Sequence, residues 1–222
     1  MFLELVRARI EHQITNGELA DKEFVAYTLK HAVDIASNLV SRGEEIRDWD
    51  FVDISGIPVR KAIGKVLHGF NSWIGLGKFL HSVFGEMSMS HPDDVLRRIN
   101  VERCIAFIEA HESAQSIMKE QFMEDKSLEK ADEQVVAESQ AQVKKAEKAL
   151  SKFPSKEVGI IISHKVSKII LYNVVEYIED IVESGLMRRQ EAEEMLAEIQ
   201  DHATGIETCV AWKHPNELES QD

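Results

Sequence analysis

The chain has 222 residues, 44% of them hydrophobic and 29% charged, with a formal net charge of −13. This length and composition suit one generous globular domain or two small ones. The acidity argues against a nucleic-acid binder, because neutralising phosphates needs a basic face. Four prolines and eleven glycines among many Ala, Glu, Lys, Gln and Leu favour helix throughout. Cys104 and Cys209, the two cysteines, make neither a disulfide framework nor a metal set and read as reduced thiols. The opening MFLELVRARIEH places Glu4, Arg7 and Arg9 inside its apolar run, unlike a signal peptide. No uninterrupted apolar stretch reaches bilayer-spanning length.

Residues 2 to 16 read as a first helix with Leu3, Val6, Ile10 and Ile14 on one face, ended by Gly17 as a left-handed cap. Asp21 is placed to cap a second helix, about Lys22 to Arg42, with Val25, Leu29, Ala32, Ala36, Leu39 and Val40 as its stripe. Gly43 ends it in the same way, and the two helices form an αα-hairpin. A connector from Arg47 to Ile54 offers Trp49 and Phe51 as anchors and completes a first unit, 1–53.

The next unit, 54–90, differs from its surroundings. Between residues 54 and 85 there is no Asp or Glu, while Arg60, Lys61, Lys65 and Lys78 give a local charge of +4. Six of the eleven glycines lie there, with Phe70, Trp73, Phe79 and Phe84. Cations mixed with aromatic and apolar side chains describe a segment able to lie on an anionic lipid surface, with Arg60, Lys61, Lys65, Trp73, Lys78 and Phe79 as the membrane or partner face. The same pattern also fits an ordinary core helix pair whose lysines meet an acidic bundle.

A long-helix unit is expected over 91–212. Ser90-His91-Pro92-Asp93-Asp94 combines a capping side chain, an early proline and acids at the positive dipole end. The helix it starts should run to about Phe122 and bury Leu96, Ile99, Cys104, Phe107, Ala114 and Met118, before a break at Met123 to Ser127. From Leu128 to Phe153 a charged helix keeps a shallow heptad seam, with Val136, Val143, Leu150 and Phe153 as a dimer or packing contact. Pro154 then forces a turn. Lys156 to Ser184 reads as a rod of roughly 44 Å, around which the other helices should wrap. Its stripe is Val158, Ile162, Val166, Ile169, Ile170, Val174, Ile178, Ile181 and Val182. Gly185 caps the rod, a last helix turns Met195, Leu196, Ile199 and Ile206 inward, and 213–222 is a polar tail. The expected fold is therefore all-α, an elongated bundle of long antiparallel helices with heptad-like packing in its second half.

Chemical motifs are sparse. No histidine has an acidic residue three positions before it, as a di-iron bundle requires, and the Glu109, His111, Glu112 spacing suits no standard metal site. Gly75-Leu76-Gly77-Lys78 lacks the first glycine of a phosphate loop and has Phe79 where Ser or Thr would meet magnesium. There is no Gly-x-Ser-x-Gly element. The residues imply no cofactor, no metal and no catalytic group.

Succession is more specific than any single motif. CIAFIEAHESAQ at 104–115, AEKALSKFPSKEV at 146–158, KVSKIILYNVVEYIEDIVESGLMRRQEAEEMLAEIQ at 165–200 and KHPNE at 213–217 occur in order. RARIEHQITNGELADKEFVAYTLKHAVDIASN and Asp48-Trp49 precede them. This order resembles the intracellular helical region of sodium/proton antiporters of the plant Salt-Overly-Sensitive and sperm-specific exchanger type; residues 54 to 85 match it least. The resemblance implies a non-catalytic regulatory or dimerisation domain on the cytoplasmic side of a membrane, beneath a transport domain that carries the ions. Its implied partners are that transport domain, an anionic lipid surface and a second copy. The chain lacks transport helices and the cyclic-nucleotide-binding barrel of the family, so antiport itself is not assigned to these residues. The alternative is a free-standing helical interaction module.

Overall fold

The computed structural model describes residues 1–19, 24–52, 92–123 and 130–208. Seven helices and no strands are formed among the described residues: α1 (Phe2–Thr15), α2 (Phe24–Val40), α3 (Trp49–Val52), α4 (Pro92–Met123), α5 (Lys130–Leu150), α6 (Ser155–Glu183) and α7 (Arg189–Thr208). The all-α expectation and the antiparallel packing of long helices hold. Asp21, the 54–85 window with Arg60, Lys61, Lys65, Trp73, Lys78 and Phe79, Cys209 and the 213–222 tail lie outside the described residues.

The caps explain where the helices stop. At α1, the Gly17 N–H donates to Ile14 O and the Glu18 N–H to Gln13 O; at α6, Gly185 donates to Val182 O and Leu186 to Ile181 O. Both are Schellman pairings, and both need a left-handed residue, supplied by Gly17 at φ 66° and Gly185 at φ 74°. Gly43 closes α2 with the same pair of bonds. Pro92 is the first residue of α4, where its missing N–H costs nothing.

The main core lies between α1, α2, α3, α4 and α5. Val6 and Ile10 of α1, Val25, Leu29 and Ala36 of α2, Trp49 of α3, Phe107, Ala110, Ala114 and Met118 of α4 and Ala146 of α5 are buried in one cluster. Alanines at the crossings let the backbones approach closely, and the Trp49 ring meets Phe107 edge-on with centroids 4.9 Å apart. Leu3, Ile99 and Cys104 are buried as their periodicity predicts, and Trp49 is the connector's anchor; Phe51 beside it is exposed. The seam on α5 is spent largely within the chain. Val143 is buried, Leu150 packs on the main core and Phe153 packs on a smaller cluster.

That smaller cluster, Val101, Ile105 and Ile161, joins α4 to the first turns of α6. Beyond it, α6 packs on α7 as a two-helix hairpin. Here the expectation of a wrapped central rod is overturned. Ile161 and Ile178 are the residues of α6 that become buried, whereas Ile162, Val166, Ile170 and Val174 from its stripe are exposed. Met195 of α7, expected to point inward, is exposed too. The physical reason is partner supply. The apolar faces of α1, α2, α4 and α5 satisfy one another, so α6 receives cover from α7 on one side and from α4 at one end.

Candidate functional site

Three features stand out among the described residues: a buried polar network, a charged node and the bare side of α6. The network begins at Asp48, just before α3, whose Oδ1 accepts the Trp49 N–H at 3.0 Å. Its Oδ2 lies 2.8 Å from Nε2 of His111 on α4, and both side chains are 0% exposed. The ring N–H is poorly aligned with that oxygen, so the contact is a close polar approach rather than a well-formed hydrogen bond. On the other ring edge, Nδ1 is 2.9 Å from Ser139 Oγ of α5, which also accepts from Gln115 Nε2 at 2.8 Å. Phe107 stacks on the imidazole at 4.2 Å and Phe2 closes its other side at 5.8 Å.

Asp, His and Ser in contact suggest a hydrolase triad, but the geometry does not support one. In a catalytic triad Nε2 faces the serine and Nδ1 the carboxylate; here the ring is turned the other way. Ser139 is fully buried under α4, with no room for a substrate at its Oγ. The network instead fixes the mutual register of α3, α4 and α5, since each member is orphaned if one helix slides.

The charged node holds α6 to the body. Arg9 of α1 forks onto Glu18, with bonds of 3.2 and 3.1 Å. Lys165 of α6 reaches both Glu18, at 3.4 Å, and Glu109 of α4. Gln13, buried on α1, donates to Glu109 at 2.9 Å. About two turns earlier on α6, Glu157 accepts from Arg97 with both oxygens at 2.9 Å. A cavity of about 10 Å³ lies at this junction, lined by Glu18, Glu102, Ile161, His164, Lys165 and Lys168 among others. It has room for about one water, far below the hundreds of Å³ a small-molecule site uses. Burial, with Arg98 and Lys168 nearby, lowers the His164 pKa, so the neutral ring is favoured in the folded protein. On the opposite flank, burial acts to raise the Asp50 carboxyl, but hydrogen bonds from Lys145 and Arg47 win and hold it below the usual carboxylate range.

The bare side of α6 is the third feature. Ile162, Val166, Ile170, Val174 and Tyr177 run along it, with Ile170 56% and Tyr177 65% exposed. By length and composition α6 could cross a membrane, with a mean hydropathy of 1.4 over its most apolar 18 residues, of which 6% are buried. The sequence reading found no such stretch because Lys165 and Lys168 interrupt it.

Of the sequence-derived seam residues, Val143 is buried, Leu150 and Phe153 pack on the two clusters and Val136 is half-buried, while Gly17 and Gly185 occupy their caps. Sequence reasoning missed the His111 network. His111 follows Phe107 by one helical turn, and that spacing on a buried face was the available signal. No protein-family model matches the chain, and no curated protein matches it.

Proposed function

We propose that this chain is a non-catalytic cytosolic regulatory and dimerisation domain of a sodium/proton antiporter, lying under the membrane transport domain. One observation carries the reading. Asp48 and Trp49 of the resembling order meet Phe107, His111 and Gln115 of CIAFIEAHESAQ in or beside the buried polar network, whose Ser139 lies between the resembling pieces. The corner at Pro154 and the α6–α7 hairpin fall in the two following pieces, in the same order.

In this reading the basic 54–85 window faces the bilayer or the transport domain, and the acidic bundle hangs into the cytosol. Each lysine near an anionic surface contributes about 1 kcal/mol. Liposomes containing anionic lipid should therefore retain the chain at low salt, and Lys61→Glu with Lys65→Glu should weaken retention. Equal retention by neutral and anionic liposomes would remove the membrane-facing part of the reading. The exposed stripe of α6 favours a second reading, a free-standing helical interaction module, which predicts association in solution without any lipid requirement.

A further inference from the structure

The hairpin of α6 and α7 is fastened to the body over a short joint. Among the described residues its apolar part is Ile161 against Val101 and Ile105 of α4. The rest is ionic: Arg97 holds Glu157, and Lys165 holds Glu18 and Glu109. The body keeps a core of its own, shared among α1 to α5. The chain passes from α5 into α6 through a short corner that ends at Pro154. A joint this small, next to a corner, opens at a lower free energy than the core behind it.

His164 stands in that joint. Half-buried, it lines the small cavity together with Glu18, Glu102, Lys165 and Lys168. Lys168 follows it by four residues on α6, the spacing at which like charges repel. From α4 come Arg98 and Glu102, paired at 3.1 Å. Glu18, from the turn after α1, already holds Arg9 and Lys165 and has His12 at 3.6 Å. Glu109 accepts from Lys165 and Gln13, and Glu157 from Arg97. Lys148 and Lys152 near the end of α5 are exposed, as are the charged side chains described on α7. Each carboxylate at the joint is therefore engaged by a cation. A proton on His164 would place a further positive charge beside Arg98 and Lys168 and would have to share a carboxylate that is already held. Burial and those two cations lower its pKa accordingly.

We propose that this joint is a proton-released latch: uptake of a proton by His164, beside Arg98 and Lys168, undocks the first turns of α6 from α4 and lets the α6–α7 hairpin swing at the Pro154 corner while α1 to α5 stay folded. The sign follows from linkage. The ring is partly buried when docked and in water when released, so the released form binds the proton more tightly. Docking is at full strength above the ordinary imidazole value of 6.5. Below it, docking weakens by up to about tenfold per pH unit until the docked ring itself takes up the proton. The latch goes beyond the transporter reading and does not depend on it.

The test uses the full chain in a Cys209→Ser background, with spin labels on Ser116→Cys of α4 and Ala197→Cys of α7, both exposed positions. Cys104 is buried and stays unlabelled. One label-to-label distance is expected at about pH 7.5, and a second should grow in as the pH falls toward about 5.5. His164→Gln should keep the first distance throughout. His164→Arg, which fixes the charge, should show the second distance already at the higher pH. His12→Gln removes the other histidine of the node and should behave as the parent chain does. Amide hydrogen exchange in α2 and around Phe107 should stay slow over the same range.

A single distance at every pH overturns the proposal, as does a His164→Arg chain that stays docked. A second distance that persists in His164→Gln, or that vanishes in His12→Gln, assigns the release to another group and also overturns it. Loss of amide protection in α2 and α4 together with the distance change marks unfolding of the body, and a latch is then excluded.

Discussion

The body formed by α1 to α5 and the hairpin formed by α6 and α7 solve the same problem in different ways. The body helices, of which α2 is no less apolar than α6, bury most of their stripe residues, with Val40 at the end of α2 exposed, and enclose Gln13, Asp48, Arg103, His111 and Ser139 besides. Helix α6 carries an apolar stripe along its whole length and leaves four of its aliphatic stripe residues exposed. Apolarity states a demand for cover, and the tertiary arrangement decides whether it is met within the chain. Polar residues mark the region where cover is complete. A buried His or Ser is tolerated where its partners are fixed, and fixing partners requires closely packed helices.

The sharpest way to break this contrast is to remove one side chain from each region. Phe107→Ala should cost about 3–5 kcal/mol through its cavity; Asp48→Ala removes the acceptor of the Trp49 N–H and leaves His111 buried beside a void, and should cost about 1–3 kcal/mol. Val166→Ala on the bare face should stay within about 0.5 kcal/mol when measured on dilute protein. Chemical denaturation of the three variants checks this, and equal losses would mean α6 is covered as fully as the body. A smaller effect is expected at the hairpin's own turn. Gly185→Val forces a β-branched residue into the left-handed region and should cost roughly 1–2 kcal/mol. Space is not the obstacle, since nothing lies within 4 Å of a Cβ added there. A thermal melt reads the result, and Gly185→Asn, which tolerates that conformation better, should recover part of the loss.

The smallest effects separate the regions by pH. His164, at the attachment of α6, has a lowered pKa, so the unfolded chain takes up a proton first as pH falls below about 6.5. Its contribution is intact above that value and is lost as pH drops through the folded-state pKa, with burial, Arg98 and Lys168 all opposing the imidazolium. Asp50, in the body, is likewise lowered, so its contribution is complete above the ordinary carboxylate range near about 3.9 and is lost only in stronger acid. Melting temperatures followed from neutral pH downward should fall in two steps. His164→Gln should flatten the first and Asp50→Asn the second.

Much of the helical layout was legible beforehand. The faces Leu3, Val6, Ile10 and Val25, Leu29, Ala32, Ala36 are the ones buried, and Gly17, Gly43 and Gly185 sit at the predicted stops. The candidate sites were less legible. Ser139 reads in sequence as a weak point of a shallow seam, yet it accepts from Gln115 and meets His111 across 28 positions of chain. Lys165 reads as an interruption of an apolar run, yet it pairs with Glu18 and Glu109, far away in sequence. Such partners are invisible to periodicity, which reports the angle of a side chain around its own helix and nothing about what lies opposite.

Local rules therefore determined the class of this protein. Intrahelical hydrogen bonds, left-handed glycine caps and apolar spacing act within a few residues, and they were enough to specify long helices and their stops. Tertiary structure alone decided which apolar faces would be spent on one another, and it left α6 over. Burial is a competition among all faces for a limited number of neighbours, and no single stretch of sequence records its outcome.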